Sequence, residues 1–238
     1  MGVDSAGNFS RLRSKSSEAM NIHKIYRFIF RIWRKQRFQL FHNLIQPTSR
    51  DRLLDIGGTV QFWQGQHFGV GQITVLNLHP QNPADGILTK VGDGCDTGEP
   101  AASYDIAFSN SVIEHVGAWE NQRRMAKEIR KVGKAVWVQT PAFECPLEPH
   151  YLAPFIHWLP KSVQKRWIRW VTPMGWISKP SQQTINDMVD TTRLLTRTEM
   201  TELFPDCEIL TERLLGVIPK SYIAMRTRQI SGEVQKLG

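Results

Sequence analysis

At 238 residues the chain is long enough for one sizeable α/β domain with an insertion. Its 41% hydrophobic and 22% charged residues are ordinary for a globular protein, and no apolar run reaches the ~20 residues that cross a bilayer. A net charge of +8 favours polyanions, nucleic acid and anionic lipid alike, and by itself selects neither.

Residues 1–20 are polar and basic without periodicity, and they read as a disordered basic tail. They hold no apolar core followed by small residues, so a secretory signal is not expected. Cys95, Cys145 and Cys207 are odd in number and far apart. That gives neither zinc spacing nor a disulfide framework, and a reducing, cytoplasmic setting is expected. Residues 21–46 read as an amphipathic helix stopped by Pro47. Ile22, Ile25, Ile29, Ile32 and Trp33 recur at three- and four-residue spacing, with Lys24, Arg27, Arg31, Arg34 and Lys35 mostly elsewhere. Such a stripe more often packs on its own domain; weak association with a membrane surface is its other use. A second basic cluster, Lys161, Lys165, Arg166 and Arg169, stands far downstream.

Residues 47–140 alternate strand and helix signals. Leu53–Ile56, Ile73–Leu78, Gly86–Val91 and Tyr104–Ser109 read as four strands, Trp119–Lys131 as a helix, and Lys134–Gln139 as a fifth strand. Residues 141–192 break that rhythm with prolines and with Trp158, Trp167, Trp170 and Trp176, which suits a lid over the carboxyl edge of the sheet. Residues 193–238 complete the domain with a helix near Thr198–Phe204, Thr198 as its cap, and an antiparallel pair near Glu208–Leu215 and Ser221–Arg226. The fold expected is α/β: a doubly wound, mostly parallel seven-stranded sheet, helices on both faces, an antiparallel final strand, and a helical, aromatic lid after the fifth strand.

The organising stretch is Arg52-Leu53-Leu54-Asp55-Ile56-Gly57-Gly58-Thr59, where a buried strand ends in an acid and two glycines. Ligands of open α/β sheets sit at that edge. Three further runs follow in order: Val75-Leu76-Asn77-Leu78-His79-Pro80, Val91-Gly92-Asp93-Gly94-Cys95, and Tyr104 to Val116 with its Ser109-Asn110 and Glu114-His115. Over roughly Pro47 to Arg226 these four pieces together resemble the class I S-adenosylmethionine-dependent methyltransferases. The resemblance makes residues 47–140 the cofactor-binding half and implies S-adenosyl-L-methionine as cofactor. It places Asp55 at the amino group or a bridging water, with Gly57 and Gly58 passing close to the amino-acid portion and ribose and Thr59 offering a hydroxyl beside them. Asn77 and Leu78 then meet the ribose, Asp93 and Gly94 the adenine, and Ser109 and Asn110 the methionine arm. The chain departs from the pattern in two respects: Thr59 and Gln61 replace glycines, and Asn77 replaces a ribose-binding acid, offering one acceptor oxygen where a carboxylate offers two.

Methyl transfer from a sulfonium is a direct displacement, so alignment and exclusion of water come first. A general base is needed where the acceptor is a hydroxyl, and His150 and His157 in the lid have the ordinary pKa for it. His115 suits orientation of the helix start. Some quinone-biosynthesis O-methyltransferases of this fold carry Glu-x-x-Glu-His here. The run Ser111-Val112-Ile113-Glu114-His115 lacks the first carboxylate, so no metal is expected. A small-molecule acceptor methylated on oxygen is the leading expectation. A nucleic-acid methyltransferase using the basic surface and a non-catalytic protein that kept the fold are the alternatives, and the residues leave the oligomeric state open.

Overall fold

The computed structural model describes residues 35–65, 69–148, 151 and 153–228. The expected tail, the first part of the N-terminal helix, and His150 therefore lie outside the described residues. Residues 35–45, labelled α1, are helical, and the helix ends two residues before Pro47. The chain divides into two compact units, residues 1–44 and 45–238, and the sheet belongs entirely to the second.

That unit begins with β1 (Arg52–Ile56), a single helical turn α2 (Val60–Trp63), β2 (Gln72–Asn77), β3 (Ile87–Val91) and β4 (Tyr104–Asn110). The helix α3 (Trp119–Val132) leads into β5 (Gly133–Pro141). The insertion holds a minimal hairpin, β6 (Leu147–Glu148) with β7 (Ala153–Pro154), and then α4 (Lys161–Val171), α5 (Pro173–Ser178) and α6 (Gln182–Thr191). The helix α7 (Arg197–Leu203) and the hairpin β8 (Glu208–Leu214) and β9 (Ile218–Arg226) close the fold.

The seven-stranded sheet has the order β3-β2-β1-β4-β5-β9-β8. Strands β1 to β5 are parallel, and β9 runs antiparallel to both its neighbours. The central strands are buried almost end to end, which is why they appear in the sequence as unbroken apolar runs. The edge strand β3 buries only Ile87. One face is covered by α3, which buries Met125, Ala126, Ile129 and Val132 against the cluster that includes Leu54, Leu76, Val136 and Ala224. The insertion has a core of its own, in which Tyr151, Ala153 and Ile156 meet Ile168, Ile185 and Val189. No helix among the described residues is long and apolar enough to cross a membrane.

Two details differ from the sequence expectation. Glu114-His115 does not open a long helix; it sits in a single 3-10 turn, Ile113–His115, and Gly117, at φ +86°, turns the chain before α3 starts. The cap of α7 is Thr196 rather than Thr198. The Thr196 hydroxyl accepts from the Glu199 amide while the Glu199 carboxylate accepts from the Thr196 amide, a reciprocal pair that the Thr-x-x-Glu spacing makes.

Candidate functional site

The strands progress outward from β1 to β3 and then resume on the other side of β1 with β4, so the crevice at their carboxyl ends opens between β1 and β4. A cavity of about 460 Å³ lies there. Of the residues expected at the cofactor, Gly57, Asn77, Leu78, Asp93 and Gly94 line it. Ile56, Leu76, Val112, Val116 and Met125 add apolar wall; His115 of the fourth run joins them, as do Asn121 and Arg124, polar groups that no local motif announced.

The glycine loop is shaped by the protein packed around it. A Cβ on Gly57, which has φ +81°, would lie 2.3 Å from Val112 Cγ1, and one on Gly58 would lie 1.7 Å from Asp55 Oδ2. Asp55 is thus beneath the loop, and it does not line the cavity. It is 1% exposed, and the Trp63 indole N–H donates to its Oδ2 at 2.7 Å. Its other oxygen, Oδ1, is buried without a hydrogen-bond partner among the described residues. Burial pushes the carboxyl up to about 7, and the Trp63 hydrogen bond offsets part of that rise. The first helical turn brings Trp63 back over the carboxylate, so Asp55 meets the loop from beneath rather than the cavity.

Asn77 is turned towards the same loop. Its Nδ2 donates to Gly58 O at 2.8 Å, and its Oδ1 accepts from the His79 amide at 3.0 Å. Gln81, which sequence reasoning missed, donates to the same Gly58 carbonyl at 3.1 Å and accepts from the Val60 amide at 2.8 Å. An amide can do this and a carboxylate cannot, because Gly58 O requires a donor. Asn77 thus lines the cavity and braces the loop at once, and its acceptor oxygen is shared with His79.

Three more residues stand apart from the cavity. Ser109 is fully buried, and its hydroxyl donates to Ile56 O at 3.0 Å, joining β4 to β1. Asn110 ends β4 half-buried, and Thr59 is exposed ahead of α2 without a side-chain capping bond. Asp93 is placed differently: it is exposed, lines the cavity, and is oriented by the Cys95 amide, which donates to its Oδ1 at 2.8 Å.

A second cavity, of about 440 Å³, lies under the insertion. His157 lines it with Phe143, Tyr151, Gln164, Thr192 and Arg193. His157 Nε2 is 2.9 Å from Phe143 O, the carbonyl to which the Trp158 indole also donates. A carbonyl only accepts, so Nε2 carries a proton. Nδ1 is buried and has no hydrogen-bond partner among the described residues. The two cavities adjoin where His115, in the wall of the first, brings Nδ1 within 3.4 Å of the hydroxyl of Thr192, in the wall of the second.

Arg193 fixes this junction. Its guanidinium lies over the Trp119 ring at 4.9 Å, donates to Gln122 Oε1 at 2.7 Å and pairs with Glu199 at 2.5 Å. Beside it, buried Glu114 accepts from the Thr140 hydroxyl at 3.0 Å. No group of three or more His, Cys, Asp or Glu among the described residues is placed to hold a metal ion.

No family model and no curated protein matches the sequence. Solved structures do. A candidate zinc-dependent alcohol dehydrogenase from Rhodobacter sphaeroides is 14% identical, with 82% of this chain and 90% of that one aligned and a TM-score of 0.56. A candidate exported protein from Bordetella parapertussis is 10% identical over 83% of this chain and 68% of that one, with a TM-score of 0.52. A SAM-dependent methyltransferase from Anabaena variabilis is 15% identical over 82% of each chain, with a TM-score of 0.47. These likenesses concern the fold, which is the Rossmann-like, mostly parallel seven-stranded α/β architecture that the class I methyltransferase resemblance implies.

Proposed function

We propose that the chain is an S-adenosylmethionine-dependent methyltransferase that places a methyl group on a hydroxyl of a small-molecule acceptor. The observation that carries this reading is the pair of cavities adjoining at the His115–Thr192 contact, one at the carboxyl edge of the sheet and one under the insertion. A volume of about 460 Å³ suits a cofactor of this size. Ile56, Leu76, Val112 and Met125 make an apolar slot for a purine, and Asp93 presents an oriented acceptor for its exocyclic amine. When bound, the cofactor supplies a methyl group already activated by its sulfonium.

The protein's part is to hold the two partners and keep water out. Gly57 brings backbone to the cavity wall, while Asp55, Asn77 and Gln81 hold the loop from behind. Across the junction, His157 is the proton acceptor for the hydroxyl, its ring oriented by the Nε2–H bond to Phe143 O. His115 and Thr192 set the distance between the two pockets.

Calorimetric titration with S-adenosylhomocysteine tests the first half of this reading. The wild-type chain is expected to bind, and Asp93→Ala to weaken binding by about tenfold or more, since a hydrogen bond to a charged group is lost. No binding at millimolar concentration overturns the proposal. For the second half, transfer of labelled methyl groups to a small-molecule extract is the readout. His157→Gln is expected to lower kcat while leaving the affinity for S-adenosylhomocysteine unchanged.

A further inference from the structure

We infer that the outer face of α4 and α5 docks on the surface of a bilayer rich in anionic lipid. Residues 155–180 carry five basic side chains, Lys161, Lys165, Arg166, Arg169 and Lys179, and no acidic one. In the same stretch four tryptophans are exposed, Trp158 near its start and, on α4 and α5, Trp167 at 47%, Trp170 at 67% and Trp176 at 61%. Val171 and Ile177 are exposed beside them. Burying Gln164 and Ile168 turns the opposite side of α4 outward, and that side carries Arg166 and Trp170. The Trp176 indole donates to the Trp170 carbonyl, which ties α5 to the end of α4 and gathers the aromatic groups. Lys165 is neutralised by Asp190 of α6, whereas Arg166, Arg169 and Lys179 form no ion pair among the described residues.

Indole rings with one apolar and one polar edge partition into the headgroup layer, and guanidinium and ammonium groups around them meet anionic headgroups. The sign of the charge argues against the other occupants. A second copy docked on the same face would set Arg166, Arg169 and Lys179 against their own kind. Residues 1–34 of the chain hold seven basic and two acidic side chains, also the wrong sign. A single-stranded nucleic acid needs a basic groove with stacking platforms, and neither of the two cavities above includes Arg166, Trp167, Arg169, Trp170 or Trp176. The docking face is contiguous with the cavity under the insertion, because Leu159 is exposed at one end of it and lines that cavity as well.

Co-sedimentation of the full chain with vesicles tests the inference, comparing phosphatidylcholine alone with vesicles containing roughly one-third phosphatidylglycerol. The chain is expected to sediment with the anionic vesicles and to be released by salt. Arg166→Glu with Arg169→Glu is expected to lower the partition coefficient by at least about tenfold, and Trp170→Ser with Trp176→Ser to lower it without changing the salt dependence. Hydrogen exchange of the wild-type chain gives a readout that needs no variant: vesicles are expected to slow exchange within residues 155–180. Equal sedimentation of both variants with the wild type, equal binding to neutral vesicles, or protection confined to other segments would each overturn the inference. So would a dimer that the tryptophan variant dissociates, or RNA binding lost in the arginine variant, if lipid binding is absent.

Discussion

Asp55 is a carboxyl group in a place that disfavours its charge, and this gives it a signature in stability. Its ordinary value is 3.8, and burial lifts it to about 7 in the folded chain. Below pH 3.8 the folded and unfolded states both hold the proton. Between 3.8 and 7 only the folded state does, so this group's contribution falls as pH rises through that window and levels off above it. The whole effect is on the order of 4 kcal/mol at most. Asp55→Asn keeps an acceptor for the Trp63 indole and removes the titration. Urea unfolding at pH 5 and pH 8 is therefore expected to show a smaller difference between the two pH values in the variant than in the wild type. Asn77 gives a second expectation, opposite to the one a ribose-binding acid suggests. Asn77→Asp replaces a donor to Gly58 O with a second acceptor, so it is expected to cost about 1–3 kcal/mol of stability and to weaken S-adenosylhomocysteine binding. Thermal unfolding and titration of the same preparation check both, and a variant that binds more tightly at unchanged stability would restore the ribose role.

At the scale of elements, legibility followed burial. Strands β1, β2, β4 and β5 bury both faces, so their sequences are continuous apolar runs and their limits were readable to within one or two residues. Helix ends were less legible, because two threonines near the start of α7 both look like caps and only Thr196 has a glutamate three residues on. The box makes a local prediction. Thr196→Ala is expected to cost about 1 kcal/mol of stability and to leave affinity for S-adenosylhomocysteine unchanged, since Thr196 does not line the cofactor cavity. A differential scanning measurement beside a titration separates the two effects. The turn at Glu114-His115 was misread for a different reason. Its helical look came from neighbours in sequence, whereas its geometry is set by distant ones: Arg193 N donates to Glu114 O at 2.7 Å, and Gln122 donates to Ile113 O at 3.0 Å and to Arg193 O at 2.9 Å.

For the whole molecule the same contrast decides how much of the site could be anticipated. Gly57 follows β1 directly and Asp93 stands two residues beyond β3, and the edge of the sheet brings such positions together whatever the side chains do. Where those side chains point was not legible: Asp55 turns under the loop because Trp63 comes back over it, and Gln81 and Arg193 act on groups more than twenty residues away. The cavity at the strand ends is continuous with the sheet core, since Ile56, Leu76 and Met125 belong both to the core and to the cavity wall. A ligand seated there should stabilise the sheet as a whole. At a concentration one hundred times its Kd, S-adenosylhomocysteine is expected to add about 2.7 kcal/mol, which for a unit of this size raises Tm by roughly 5–10 °C. Asp93→Ala, on the exposed rim of the cavity, is expected to leave the ligand-free Tm within a degree or two and to remove most of the ligand-induced rise at the same ligand concentration. A rise equal to that of the wild type would place the ligand elsewhere than against Asp93.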